Sequence, residues 1–214
     1  MARVFLLSPA NCAGVRAQMV MRPAAAFDLA RRLRSPAGAP LGDVFSFMSG
    51  LYFRGKLAYA RAFAAPPDPT CPHTGEGVFV ITPGAGLIRP STVVTVTDLR
   101  RFAGVSIDHD EPRYHRPLTK AGRALANRLG PDCEVVLLGS VASEKYAKVL
   151  SPVFGARLKF PPAFVGRGDM SRGGLLLRAA AAGRELDYVS LVGAVVHGPR
   201  PPKLTPLRAG ARDS

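Results

Sequence analysis

Glu134-Val135-Val136-Leu137-Leu138-Gly139-Ser140 decides how the rest of the chain is read. A short, continuous apolar run that stops at turn residues reads as a strand covered on both faces, as in a parallel sheet. A helix over residues 141–150 follows it. The same order occurs at the N-terminus, where a strand over residues 3–7 ends in Ser8-Pro9-Ala10-Asn11-Cys12-Ala13-Gly14. It occurs again at Val78-Phe79-Val80-Ile81, which leads to Pro83-Gly84-Ala85-Gly86. Repetition of strand, small-residue loop and helix predicts an α/β fold class: a single three-layer domain with a central, mostly parallel sheet flanked by helices. The domain is expected over residues 1–196, followed by a basic, proline-rich tail at 197–214. Ligands of open parallel sheets bind beyond the carboxyl ends of the strands. The loops at 8–14, 83–86 and 139–140 are therefore expected to converge with an arginine-containing loop near residue 167.

Other elements fill in around these strands. Helical spacing of apolar residues predicts helices at 27–34, 53–64 and 118–129, the last with Thr119 near its start and Gly130 just past its end. Residues 92–96 are β-branched and read as extended, and Thr97-Asp98 as the cap of a short helical turn. Residues 112–117 read as a polar loop. Short strands are expected at 157–160 and 189–196.

Composition narrows the partners. Among 214 residues, 29 Lys and Arg face 15 Asp and Glu, a formal net charge of +14. Such an excess favours a polyanion, and arginine suits forked recognition of phosphate. DNA is the expected partner. No run approaches the length of a membrane span, so no membrane association is expected. Three widely spaced cysteines form no disulfide framework, which fits a cytoplasmic location. The chain is expected to act as a monomer.

No Walker A pattern and no Gly-x-Gly-x-x-Gly follows the first strand, which disfavours nucleotide cofactors. Cys71-Pro72-His73 lacks a second pair at ligand spacing, which disfavours zinc. No cofactor and no metal is expected. Asp108-His109-Asp110-Glu111 reads as a solvated loop, and no Gly-x-Ser-x-Gly elbow is present.

Two segments carry the chemistry. In Gly166-Arg167-Gly168-Asp169-Met170-Ser171-Arg172-Gly173-Gly174, glycines allow close backbone approach to an anion, and a helix starting near Ser171 adds its positive end. Arg167, Gly168, Ser171, Arg172 and Gly173 are candidate phosphate ligands. Asp169 is the candidate catalytic carboxylate. A tight turn with Asp169 or Ser171 as helix cap is the competing reading. In residues 46–56, aromatic, small and cationic residues alternate. Tyr52 or Phe53 is placed to stack on a base, with Arg54 and Lys56 on phosphates; packing of Phe45, Phe47, Leu51 and Phe53 in the core is the competing reading.

The N-terminal half resembles the YaaA-like family, which includes a DNA-binding peroxide-stress protein. The matching residues are the opening strand with Ser8-Pro9 to Cys12, then Leu51-Tyr52-Phe53-Arg54 leading an alanine-rich helix, Val80-Ile81-Thr82, and Gly86-Leu87-Ile88 with Pro90. The second half resembles the uracil-DNA glycosylase superfamily, through Val135 to Ala142 and the passage from Phe160-Pro161 to Arg172. That resemblance implies a DNA-gripping loop at 161–172 and an active-site loop at 8–14. The histidine of the second glycosylase loop is replaced by Asp169-Met170-Ser171-Arg172, and the first loop carries no acid.

The expected function is that of a DNA glycosylase. It would flip a damaged or modified base from the stack and hydrolyse its N-glycosidic bond, in repair or in defence against phage with modified DNA. Asp169 would stabilise the oxocarbenium-like sugar or position water. Asn11 would read a base edge, with Ser8, Tyr52, Phe53, Gly139 and Ser140 around the base. A DNA-binding stress protein without catalysis and a nucleoside or nucleotide hydrolase are the alternatives.

Overall fold

A computed structural model describes residues 1–202 and 204 of the chain; the rest of the expected tail, 203 and 205–214, lies outside the described residues. Four strands form a parallel core: β1 (Arg3–Leu7), β3 (Val78–Thr82), β6 (Glu134–Leu138) and β7 (Leu158–Phe160). Antiparallel strands β4 (Gly86–Ile88) and β8 (Val189–Ser190) close the two edges, giving the order β4-β3-β1-β6-β7-β8. A separate small ladder pairs β2 (Ala39–Pro40) with β5 (Val93–Val94). The fold is thus a three-layer α/β domain with a mostly parallel central sheet.

Alternation along the strands assigns the two faces. Phe5, Leu7, Val78, Val80, Val136 and Leu138 point into one core, with α1 (Val15–Met21), α2 (Asp28–Arg34), α3 (Leu41–Ser49), α4 (Leu51–Phe63), α5 (Val96–Ala103) and α8 (Asp169–Ala181). Val4, Leu6, Phe79, Ile81, Val135 and Leu137 point into the other, covered by α6 (Pro112–Leu129) and α7 (Glu144–Phe154). Every residue of β3 and β6 is buried, as the continuous apolar runs require.

Several local expectations change. Residues 112–117 are not loop but the first turns of α6, with Pro112 at the helix start and Pro117 inside it. The cap of α5 is Thr95, which forms a capping box with Asp98, rather than Thr97-Asp98. Residues 83–86 are the turn of a hairpin whose second strand is β4, and the last strand is only two residues long.

One glycine of the 166–174 segment, Gly173, has a packing role that the phosphate reading missed. Helices α4 and α8 cross at Gly55 and Gly173. A Cβ on Gly55 would lie 2.5 Å from the Gly173 carbonyl oxygen, and one on Gly173 would lie 2.8 Å from the Leu51 carbonyl oxygen. Only glycine permits this backbone contact.

Candidate active site

The chain runs outward from β1 to β3, then returns across β1 to β6. Strand order therefore reverses at β1, and a crevice opens beyond the carboxyl ends of these strands. A cleft of about 450 Å³ occupies it, within the roughly 300–1,000 Å³ of ligand pockets. Its wall includes Ser8 and Asn11 from the loop after β1, Tyr52 from α4, Pro83 after β3, Ser140 after β6, Tyr146 from α7 and Asp169 from α8. Five residues expected at the site thus share one cavity: Ser8, Asn11, Tyr52, Ser140 and Asp169.

Ser8, Asn11 and Asp169 are held by nameable contacts. The Ser8 N–H donates to the Leu138 carbonyl (3.1 Å), extending the β1–β6 ladder into the loop. Gly139 is buried, and a Cβ there would come within 3.0 Å of the Ser8 Cβ. Its role is to let the β6 loop pass Ser8, not to contact substrate directly. Asn11 closes an Asx turn, its Oδ1 accepting from the Ala13 N–H at 3.0 Å. That engages the acceptor and leaves the amide donors. Asp169 stands in the first turn of α8, 68 % exposed, its Oδ1 3.5 Å from Nη1 of Arg172.

Beneath Ser8 lies Lys56, fully buried. Its Nζ donates to the Ser8 carbonyl (2.6 Å) and contacts Ser8 Oγ at 2.7 Å. It also sits 4.3 Å from the centre of the Tyr52 ring. Burial pulls its pKa from 10.5 down to about 7; Asp169 opposes the shift and Arg172 adds to it. Tyr52 is 6 % exposed, and its buried hydroxyl has Ser8 and Arg172 as polar neighbours but makes no hydrogen bond of good geometry to either. Burial raises that phenol to about 12, so it stays protonated at neutral pH. Burial likewise raises the Tyr146 phenol, and the Cys12 thiol to about 12, which removes Cys12 as a thiolate nucleophile.

Three expected contacts are corrected. Phe53 is fully buried and packs edge-on against Phe45, with ring centres 5.4 Å apart, so it cannot stack on a base. Lys56 is not on the surface and meets no phosphate. Arg172 is 6 % exposed, and its Nε and Nη2 both donate to the Phe164 carbonyl at 3.2 Å. It braces the start of α8 rather than presenting its guanidinium to solvent. Buried Gly173 serves the helix crossing described above.

Five arginines, three exposed and two half-buried, lie beside the cleft. Arg16 and Arg54 line one groove with Leu51 and Met170. Arg167, Arg178 and Arg200 line a second with Gly168, Ser171 and the same Leu51 and Met170. Ser49 is common to the first groove and the cleft, and Met170, 67 % exposed, follows Asp169. Among the described residues the two grooves hold five arginines and no acid. Arg167 is partly engaged, donating to the Ala163 carbonyl (3.0 Å) and Ser171 Oγ (3.2 Å).

Sequence reasoning missed Tyr146 and the placement of Lys56. Tyr146 follows the Gly139-Ser140 turn by one helical turn, a position from which a side chain reaches a strand's carboxyl end. Lys56 carried no comparable signal. No helix among the described residues is long and apolar enough to cross a membrane. Compared with known proteins, the chain finds no match among family models, curated proteins or solved structures.

Proposed function

We propose that this protein is a DNA glycosylase acting on a damaged or modified base that has been flipped out of the stack. One observation carries the reading: a polar cleft of about 450 Å³ sits at the sheet's switch point, one arginine-lined groove adjoins it at Ser49, and a second continues from that groove through Leu51 and Met170. The grooves supply backbone grip without sequence preference. The cleft supplies what the flipped nucleotide needs. Tyr52 and Ser8 offer hydroxyls to the base, Asn11 offers amide donors, and Asp169 at the rim faces the charge that develops on the sugar.

The test is direct. Single- and double-stranded oligonucleotides carrying uracil, hypoxanthine, 5-hydroxymethyluracil or alkylated purines are incubated with the protein, and abasic sites are cleaved with alkali. Strand scission at one modified base is the expected result. DNA affinity should fall steeply with salt. The log–log slope reaches roughly −4.5 on duplex DNA if all five groove arginines meet phosphates. A steep slope with no scission would make the protein a DNA binder without catalysis. Release from free nucleosides with a flat salt response would make it a nucleoside hydrolase.

A further inference from the structure

Among the described residues Lys56 is the one fully buried lysine, and its ammonium touches the floor of the cleft rather than any carboxylate. Two of its hydrogens are directed at Ser8, one to the carbonyl and one to Oγ, and the Tyr52 ring covers the remaining side. While Oγ accepts from Nζ, the Ser8 hydroxyl hydrogen must point elsewhere. Ser8 itself lines the cleft. The Tyr52 hydroxyl, beside Ser8 and Arg172 but without a well-formed bond to either, is a second donor at the same floor. A buried phenol without a partner costs free energy unless a ligand supplies an acceptor. The floor is therefore built as a pair of O–H donors backed by an ammonium. Its natural occupant is an electron-rich oxygen or nitrogen that gains negative charge.

We infer that Lys56 is the proton store for the leaving base and that Ser8 relays its proton, so that the cleft carries its own general acid. This rests on the glycosylase reading. As the glycosidic C–N bond breaks, its electron pair passes to the base. The Ser8 hydroxyl proton moves to the base, and an Nζ proton of Lys56 moves to Ser8 Oγ, leaving a neutral amine. Water adds to the sugar carbon and gives its proton to Asp169. Asp169 returns that proton to solvent, and the amine is reprotonated as the free base and the abasic product leave. Lys56 reaches the base only through Ser8 and is a positioning residue; Ser8 and Tyr52 are the groups in contact with substrate.

The surroundings suit a group that must give up a proton near neutral pH. Two charges act on the amine, Asp169 and Arg172, both from α8. The loop after β1 contributes only the Ser8 hydroxyl and carbonyl, and α4 itself the rings of Tyr52 and Phe53. On the α7 side the Tyr146 hydroxyl neighbours Ser8 and Tyr52. With burial holding the amine near pH 7, the protonated and neutral forms are close in free energy, which is what a general acid requires.

The experiment is the pH dependence of single-turnover base release, between pH 6 and 9, on the oligonucleotide cleaved in the panel above. Wild type should lose rate about tenfold per unit above a midpoint near pH 7, because only the protonated amine is active. Ser8→Ala keeps the Lys56–carbonyl bond and removes the relay. It should be at least tenfold slower and flat across this range. Lys56→Met should behave alike, with folding of both variants checked by circular dichroism and DNA binding. Ser8→Ala is decisive if Lys56→Met does not fold. Tyr52→Phe should slow release yet retain the alkaline limb. A limb that survives in Ser8→Ala overturns the relay and leaves the glycosylase reading standing. No base release by wild type from any oligonucleotide overturns both.

Discussion

Helix α4 carries buried polar groups at both ends, and they are treated in opposite ways. At its C-terminal end Tyr59 donates to the Tyr188 hydroxyl at 2.5 Å and accepts from the Leu186 N–H at 2.7 Å. Tyr188 in turn donates to Glu185 (2.9 Å), which pairs with Arg3; Arg3 also pairs with Glu134 (2.9 Å), and Glu134 with Lys159. Every group in that chain has its partner. Near the N-terminal end, two turns away, Tyr52 has none, and Lys56 has hydroxyl and carbonyl partners but no carboxylate at hydrogen-bond distance. The amino edge of the sheet is a closed network that ties residues 185–188 back to β1. The carboxyl edge keeps donor capacity open toward a cavity. Satisfied networks rigidify, while a buried donor without a partner carries a free-energy cost. One helix thus anchors the domain at one end and serves the site at the other.

The largest expected effect breaks the comparison at the open end. Asp169→Asn removes the charge that would face the oxocarbenium ion while keeping shape. Base release should drop on the order of 10²–10³-fold. DNA affinity should hold or rise, since a negative charge beside phosphates is gone. Folding should barely change, because the side chain is exposed and only its interaction with the N-terminus of α8, about 0.3–1 kcal/mol, and its long ion pair with Arg172 are weakened. Full activity in this variant, measured by single-turnover release, would leave Asp169 as a helix-start residue and move the charge-stabilising role elsewhere.

The closed end should respond in stability and not in chemistry. Glu134→Gln leaves Arg3 with Glu185 alone and Lys159 without its carboxylate. The pairs are partly buried, so the loss should be about 1–3 kcal/mol in urea unfolding, below the 3–5 kcal/mol of fully buried pairs. Burial by itself would raise the Glu134 carboxyl, but the hydrogen bonds from Lys159 and Arg3 outweigh it and hold the pKa below its ordinary 4.5. A depressed carboxylate contributes stability above its unfolded pKa and loses it as pH falls through the folded one. Wild type should therefore approach the variant in stability below about pH 4.5. A gap that stays constant down to pH 3 would remove this network as its source.

Much of this arrangement was legible in the residues. The strands were, because a run buried on both faces leaves a continuous apolar signature, as at Val78 to Ile81 and Val135 to Leu138. The convergence of loops followed from strand direction alone. Helix α3 was overlooked although Leu41, Val44, Phe45 and Met48 have helical spacing and are all buried. The proline-containing start of α6 was hidden for a different reason. Pro117 breaks the helix pattern locally, and burial of Tyr114, whose hydroxyl donates to the Lys145 carbonyl at 3.1 Å, holds those turns in place. Local propensity gave way to packing. Lys56 was misplaced because a lysine in an amphipathic helix belongs outside by composition. Only the fold brings it to Ser8, 48 residues away in sequence. The glycines at 55 and 173 carried the same ambiguity: close approach to an anion and close approach of two helices demand the same residue.

The smallest effect sharpens the comparison most, because it changes one atom at each end of α4. Tyr59→Phe deletes a hydroxyl that has two partners, and it leaves the half-buried Leu186 N–H without its acceptor. It should cost about 1–2 kcal/mol, the net hydrogen bond plus part of the penalty for the stranded donor. Tyr52→Phe deletes a hydroxyl with no partner. There is no bond to lose, and an unsatisfied buried group is removed, so stability should be unchanged or rise by a few tenths to about 1 kcal/mol. The ring that packs over Lys56 is retained in either case. Paired urea denaturation of the two variants reads the difference directly, with equal slopes confirming that the same surface is exposed. Equal destabilisation by both would mean that Tyr52 is satisfied in solution, and the floor of the cleft would then be a finished piece of core rather than a place kept open for a base.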